Sequence, residues 1–586
     1  MTDGHSSPED ERSTTHDDAG HERAQRLTRR GFLAGTVAAA LAACSDGGAG
    51  PDAADQGSTA EPSSAPTTPA TDTSTTSTTV APTPSTTQSP DTVPVVASDP
   101  FTLGVASGDP LPDSVILWTR LHPAEALPGT DVEVAWQVAR DPDFTDAVRD
   151  GTTLARSALG HSVHVDVAGL APDTEYYFRF TLGEHTTRTA RTRTFAAPGT
   201  TPERFRFAFS SCQNWEQGRY AAYRDVVEQD ELDAFVFLGD YIYEYPGSGT
   251  PGAAGRTTDQ DFECETLEQY RRRYALYHSD PLLQAAHARV PWVITWDDHE
   301  VDNDYAGAVS QDDDDPQAFL ARRAAAYQAW YEHMPVRLDP PDGPDYAIHR
   351  SFAHGDLVRF HVLDTRQYRS DQQRGEAFVP AIGEAVQVRD EALASDPDHT
   401  MLGDAQRRWL IEGIRSSTAV WDVLAQQVLM FGGNAIPGAD PPVVLVDTWD
   451  GYAGERRLLL EAAGSAADNL IVLTGDFHSA AVADLRADPF DQSLPVVGSE
   501  FMASSISSSF FDADETVAQL VAGALAANPQ LKWFDTRRGY TLCEVTHDRW
   551  LATYRAVADQ FDDSSEVDTI SSWEVRAGTA GTQQVS

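Results

Sequence analysis

The chain of 586 residues is short of positive charge: 43 lysines and arginines stand against 90 aspartates and glutamates, a formal net charge of −47. A surface that acidic repels polynucleotides and anionic lipid and attracts divalent cations, which excludes a nucleic-acid partner unless metals bridge it. Saline adaptation produces the same imbalance. Large apolar residues are nearly missing from residues 45–98, a stretch of Ser, Thr, Pro, Ala and Gly. Such a segment cannot bury enough surface to offset its ordering entropy, so it reads as a disordered linker. Cysteine is scarce, at four residues. With Cys44 and Cys212 assigned to the roles below, Cys264 and Cys543 are the one pair left for a disulfide outside the cell.

Ahead of the linker, residues 1–44 carry Arg29-Arg30-Gly31-Phe32-Leu33 followed by an alanine-rich apolar run to Ala43. The run is too short for a comfortable membrane span, and the arginine pair before it marks a twin-arginine export signal. Leu41-Ala42-Ala43-Cys44 fits a lipobox, with Cys44 the acylated residue; simple cleavage at the same small residues is the alternative. The expected partner is therefore the twin-arginine translocation machinery, which carries folded proteins and suits a chain that takes up metal before export. The expected location is extracellular or cell-surface, with membrane contact only through the signal or anchor, and a monomer is expected.

Residues 99–197 alternate in the manner of strands, with turn signals between runs such as Ser114–Arg120, Val132–Val138 and Tyr176–Phe180, as in a β-sandwich. Leu170-Ala-Pro-Asp-Thr-Glu-Tyr176 is similar to the corner of a fibronectin III-like domain, closed by the Tyr176 hydroxyl. His161 and His164 fall on no metal spacing. From residue 204 to 550 strands alternate with helices expected over Gln217–Gln229, Thr266–Tyr277, Gln317–His333 and Asp404–Ser416, the pattern of an α/β core. The acidic stretch Gln311–Pro316 reads as a solvated loop. Residues 551–586 are taken as a C-terminal extension that covers the pocket or frays.

Five apolar runs in this chain stop at residues that bind metals. Phe205–Cys212 ends in a thiol, Phe235–Asp240 in Gly239-Asp240 with Tyr243 close behind, and Val290–Glu300 in Asp297-Asp298-His299-Glu300. Leu357–Asp364 ends in a carboxylate and Asn469–His478 in Gly475-Asp476-Phe477-His478. One such end is commonly only a turn, but five pointing the same way describe a metal centre at the carboxyl ends of a sheet. Phenolate and thiolate suit a strong Lewis acid such as ferric iron, while carboxylates alone suit calcium, magnesium or manganese. Few histidines among the ligands disfavour a di-zinc site. Two ions about 3.5–4 Å apart are a general solution for phosphate-ester hydrolysis.

Gly239-Asp240-Tyr241-Ile242-Tyr243 resembles the Gly-Asp-x-x-Tyr motif of purple acid phosphatase-type metallophosphoesterases. Asp297–Glu300 and Gly475–His478 resemble their Asn-His and His-x-His motifs, with Asp298 in place of the asparagine and Asp476 in place of the first histidine. These replacements, with Cys212, Phe209-Ser-Ser-Cys-Gln213, Leu363-Asp-Thr-Arg-Gln-Tyr368 and Leu103-Gly-Val-Ala-Ser-Gly-Asp-Pro110, resemble the alkaline phosphatase D (PhoD-like) family over residues 99–545.

The resemblance implies an α/β metallophosphoesterase core, a mixed-sheet sandwich flanked by helices, behind an N-terminal fibronectin III-like β-sandwich. It implies iron (Fe3+) on Cys212, Asp240, Tyr243 and His478, and one or two calcium ions on Asp240, Asp298, Asp364 and Asp476, with zinc, magnesium or manganese less favoured. By analogy His299 contacts phosphate or protonates the leaving oxygen; its alternative is a structural histidine pinned by Asp298 or Glu300. Arg366 binds phosphate or makes a surface salt bridge, Asn303 is a weak candidate for the second metal, and His361 is packed. The implied activity is hydrolysis of phosphomonoesters and phosphodiesters, small or polymeric. The alternatives are a phosphodiesterase of phospholipids or teichoic-type polymers and a surface protein that binds metal or phosphate without turnover.

Overall fold

A computed structural model of the chain describes residues 96–586 apart from 259, 313, 376–385, 467–468 and 510–521. The export signal, the Cys44 lipobox and almost all of the linker lie outside the described residues.

Two sheets pack face to face because their strands are apolar on the side they share. Phe205–Ser210, Ala234–Phe237 and Trp292–Ile294 run parallel in one sheet. Val358–Val362, Trp421–Ala425, Leu470–Thr474 and Gly498–Met502 run parallel in the other. Phe205, Phe207, Phe209, Val236 and Val293 of the first meet Phe360, Val423, Ile471 and Phe501 of the second in one buried cluster. Strands buried on both faces read as continuous apolar runs, which is why these are visible in the sequence.

Helices cover the two outer faces. Ala221–Glu228, Leu267–His278, Pro281–His287 and Pro316–His333 bury Tyr223, Tyr274, Leu283 and Trp330 against the first sheet. Gly403–Arg415 and Ala453–Ala466 bury Leu410, Ile414 and Leu460 against the second. The helix starts follow from capping: Thr266 forms a reciprocal capping box with Gln269, and Asp315 accepts from the first turn ahead of Pro316. The expected helix Gln217–Gln229 begins only at Ala221; the preceding residues turn instead on Asn214, whose side chain accepts the N–H groups of Glu216 and Gln217.

The first sheet is longer than the sequence suggests. Val105–Gly108 joins it in parallel beside Trp292–Ile294, and Ser114–Arg120 and Ser162–Ala168 follow. Val132–Ala139, Ala147–Ala155 and Glu175–Leu182 with two short strands form a separate sheet over a core containing Val134, Val165, Phe178 and Phe180. The Tyr176 hydroxyl accepts the N–H of Ala171 at 2.8 Å, closing the corner. Buried Asp109 ties this region to the core, accepting from Arg350 at 2.8 and 2.9 Å and from the N–H of Arg337 at 2.7 Å.

At the other edge, Gly539–Val545, Arg549–Val557, Val567–Arg576 and Thr579–Gln584 complete ten strands. The expected boundary at 550 therefore falls inside a strand. The physical reason is the alternating burial of Arg549–Val557, which pairs along its whole length with its neighbour. The last residues do not fray: the Thr582 N–H and hydroxyl are donated to Asp484 in the second sheet.

Candidate metal centre

The parallel strands of both sheets release their chains at the same edge, and there the backbone takes an uncommon shape. Cys212, Asp240, Asp476 and His478 have positive φ of 57°, 55°, 62° and 53°. A non-glycine residue held there costs about 1–3 kcal/mol, and such residues cluster at functional sites. Two glycines make the crowding tolerable. A Cβ on Gly239, itself at φ 105°, would lie 2.5 Å from both N and Cβ of Asp297, and one on Gly475 would lie 2.5 Å from the Ser211 hydroxyl. Glu300 locks the two carboxylate-bearing ends together by accepting the N–H groups of Asp240 (3.0 Å), Tyr241 (2.6 Å) and Asp297 (2.8 Å).

Two adjoining clusters result. In the first, ligand atoms of Cys212, Asp240 and His478 lie within 4.8 Å of one another. The Tyr243 hydroxyl joins them, 3.0 Å from Oδ2 of Asp240 and 2.9 Å from Nε2 of His478, and it receives a hydrogen bond from Ser508 at 2.8 Å. In the second, Asp297, Asp298 and Asp476 converge in the same way, and Asp240 with Asp298 and a ring nitrogen of His299 connects the two.

Of the residues anticipated as ligands, Cys212, Asp240, Tyr243, Asp298, Asp476 and His478 are thus brought together. Asp364 is not: its carboxylate accepts the N–H of Arg366 and of Gln367 at 3.0 Å each and Nε2 of Gln367 at 2.9 Å. It shapes the turn that presents Arg366. Asp297, which does not occupy the asparagine's place in the motif, stands inside the cluster beside Asp298.

Arg366 is fully buried, not on the surface. Its guanidinium contacts Asp297 and reaches Asp447 at 2.8 Å, Asp476 at 3.4 Å and Asp298 at 3.6 Å. With Arg369 also on Asp447, two cations stand among these four carboxylates, and a negative excess remains. Among the described residues, Oδ1 of Asp240 and Oδ2 of Asp297 are buried without a hydrogen-bond partner, and an unpaired buried carboxylate oxygen is costly. Carboxylate, thiol, phenol and imidazole donors around such oxygens fit hard or borderline cations.

The titration of these groups expresses the same excess. Burial, then the charge of Asp298, pushes Asp240 up to about 7. Burial and neighbouring carboxylates also push Asp297 and Asp476 well above the usual range. The Cys212 thiol and the Tyr243 phenol are raised by burial and then by Asp240. Burial would raise Asp298 too, but Arg366 and then His299 overcome it and hold that carboxyl low. His478 is depressed to about 3 by burial and then by Arg538. Burial disfavours the imidazolium of His299, yet Glu244, then Asp240 and Asp298, raise it well above 6.5.

Several partners of these residues carry no motif in the sequence. His299 is pinned neither by Asp298 nor by Glu300 but by Glu244, with Nδ1 2.8 Å from Oε2. Asn303 presents its backbone N–H to that same carboxylate at 3.0 Å. A buried glutamate directly after Tyr243 in an apolar stretch was the available signal. Asp447, which holds Arg366 and Arg369, sits in a loop with no pattern to betray it. His361 is packed as expected, 3.1 Å from Asp422, and His164 meets the carbonyl of Met334. Among the described residues Cys212, Cys264 and Cys543 are all buried and free; Cys264 and Cys543 belong to the clusters on opposite faces of the first sheet, so they do not pair with each other.

Comparison with known proteins places this architecture. Residues 207–554 match the PhoD-like phosphatase family and residues 86–196 match the PhoD-like phosphatase, N-terminal domain. The chain is 41% identical over 503 residues to alkaline phosphatase D of Bacillus subtilis (strain 168), covering 85% of this chain and 84% of that one. A solved structure of PhoD superposes with a TM-score of 0.78 at 40% identity, over 84% of this chain and 93% of that one.

Proposed function

The chain belongs to the PhoD-like phosphatase family and is a phosphoric ester hydrolase, and from that premise we propose that it is an exported, metal-dependent enzyme that hydrolyses phosphomonoesters and phosphodiesters to release phosphate. The observation that carries the metal-dependent reading is the pair of unpartnered buried carboxylate oxygens, on Asp240 and Asp297, inside a converging set of Cys, Asp, Tyr and His donors.

In this reading iron is held by Cys212, Asp240, Tyr243 and His478, and calcium by Asp297, Asp298 and Asp476 with Asp240 shared. Bound there, the ions supply Lewis acidity for activating water and for spreading the negative charge that develops on the phosphoryl oxygens. Asp240 orients both halves of the site from one strand end. Arg366, whose guanidinium is engaged by Asp297, Asp298, Asp447 and Asp476, orients those carboxylates, and His299 donates to the leaving oxygen. The N-terminal strands are read as a fibronectin III-like unit. The arginine pair and Cys44 are read as marks of twin-arginine export and lipid anchoring, giving a cell-surface enzyme that acts as a monomer on small or polymeric esters.

The test is the initial rate of the purified chain, loaded with iron and calcium, on an aryl phosphate monoester and a bis-aryl diester at equal concentration, before and after chelation. Turnover of both esters, lost on chelation and restored by the two metals, is expected. Undiminished turnover after complete metal removal would contradict the reading, and a diester rate far above the monoester rate would shift it to the phospholipid or teichoic-type alternative.

A further inference from the structure

The strand Trp421–Ala425 lies in the second sheet between Val358–Val362 and Leu470–Thr474, yet it ends in Gln426-Gln427 and not in a ligand-type side chain. Gln427 is fully buried. Its side-chain nitrogen lies 2.7 Å from the Trp296 carbonyl, 2.9 Å from the Leu363 carbonyl and 2.8 Å from the Thr295 hydroxyl. Its side-chain oxygen accepts the Thr365 hydroxyl at 2.7 Å, and its backbone carbonyl accepts the N–H of Gly475 at 2.8 Å. Carbonyl oxygens only accept, so the nitrogen end of the amide must face Trp296 and Leu363, and the Thr365 hydroxyl holds it in that sense. The Thr295 hydroxyl donates to the same Leu363 carbonyl at 2.8 Å.

These partners adjoin the second cluster from two sides. Trp296 precedes Asp297 at the end of a strand in the first sheet, whereas Thr365 precedes Arg366 and Gly475 precedes Asp476 at strand ends of the second. One side chain therefore bridges the two sheets where their ligand-bearing ends meet. The amide carries no charge and both of its polar ends are committed to these strands, so its part is geometric. The first cluster is held differently. Among the described residues the Gln427 amide makes no hydrogen bond to Cys212, Asp240, Tyr243 or His478. That group is tied instead by the Cys212 N–H on the Gly239 carbonyl at 3.0 Å and by Glu300 on the Asp240 N–H.

We propose that Gln427 is a positioning residue that sets the spacing of Asp297 and Asp298 from Asp476 and Arg366, and thereby the affinity of the all-carboxylate cluster for its cation. The inference rests on the metal-dependent reading and adds to it the residue that couples the two sheets at the site. Loss of the side chain leaves the backbone bond to Gly475 in place but frees the Asp297 and Arg366 ends from each other. The two clusters then respond unequally: the one containing Cys212 keeps its ion, and the one containing Asp297 binds more weakly.

The experiment compares the full wild-type chain with Gln427→Met, which keeps the length of the side chain and removes the amide. Iron per chain is measured by elemental analysis, calcium binding by calorimetric titration of the iron-loaded chain, and amide hydrogen exchange on the metal-free chain. Outer partners of metal ligands are worth about 10–100-fold in affinity or activity. On that scale the calcium concentration at half-saturation rises about 10-fold or more while iron per chain is unchanged. Exchange quickens at residues 295–303 and 363–367 and stays the same at 205–212. An unshifted calcium curve would overturn the inference. Iron and calcium lost in parallel would overturn it as well, leaving Gln427 a residue of general stability. Should Gln427→Met yield no folded chain, Thr365→Val, which removes the bond that orients the amide, must raise the calcium half-saturation with iron unchanged, and no shift there overturns the proposal equally. Failure of the metal-dependent reading looks different: the wild type itself would take up neither ion, and the metal-free exchange comparison would still decide whether Gln427 couples the two strand ends.

Discussion

Asp240 and Tyr241 are neighbours in the chain, share the Glu300 carboxylate through their N–H groups, and face two buried polar clusters of opposite character. Asp240 faces the strand-end cluster, where carboxylates, a thiol and a phenol outnumber the available cations. Tyr241 faces a group of histidines under the N-terminal strands. Its hydroxyl lies 2.8 Å from Nε2 of His287 and 3.2 Å from Nε2 of His278. There His333 accepts from Arg120 at 2.8 Å and its Nδ1 lies 2.6 Å from the Ala329 carbonyl, which fixes a neutral ring. Burial leaves these three histidines uncharged. In one cluster the buried rings stay neutral, although Nδ1 of His287 has no hydrogen-bond partner among the described residues; the other has like charges and unpartnered carboxylate oxygens left over. Buried polarity by itself therefore says little about function, whereas an uncompensated surplus of one sign calls for a partner from outside.

The largest effect expected from breaking this contrast comes at Asp240. Asp240→Asn removes charge shared by both proposed ions, and the rate on aryl phosphates falls by about 10³-fold or more, since metal electrostatics supply several kcal/mol to the barrier. Bound iron and calcium fall with it, as elemental analysis of the purified variant would record.

The histidine cluster answers to acid instead. Burial lowers His278 from 6.5 to about 3 and takes His287 and His333 well below 6.5. Below about pH 6.5 the unfolded chain takes up protons that the folded chain refuses. Stability present above that pH is lost as the pH falls toward 3, by about 1.4 kcal/mol per pH unit for each histidine. His278→Gln shallows the slope by that amount between about pH 6 and 4. Denaturant unfolding of variant and parent, both in chelator, would measure it, and parallel slopes would show that the cluster is not held neutral.

The smallest effect is expected at a third cluster that sharpens the distinction. Glu244, Glu263 and Asp302 also bring ligand oxygens within 4.8 Å, but Arg322 enters between them, 2.8 Å from Glu263 and 3.3 Å from Asp302. Asp302→Asn therefore leaves the iron and calcium bound per chain unchanged. A loss of one equivalent would mean that Arg322 does not complete this group.

The strand ends were legible because burial on both faces makes each central strand an apolar run, and the run stops where a ligand-type residue begins. Helix limits read from periodicity fall within a few residues of those observed. The identity of the sheet that an amphipathic strand joins was not legible. Val105–Gly108 and Ser114–Arg120 alternate in the same way whether they close a separate sandwich or extend the catalytic sheet, and only the meeting of Gly108 with Trp292 decides. Side-chain direction after a strand was also hidden. Asp364 stands at the right strand end, but its own turn captures its carboxylate, while Asp297 and Asp298 both enter the cluster although only one matches the motif.

Anomalous diffraction from crystals of the active protein grown with iron and calcium tests the central claim most directly. The account predicts an iron peak among Cys212, Asp240, Tyr243 and His478, and calcium density among Asp297, Asp298 and Asp476, with the orphaned oxygens of Asp240 and Asp297 now coordinated. Active crystals with no ion at either cluster, and Arg366 still clasped by the same four carboxylates, would contradict it.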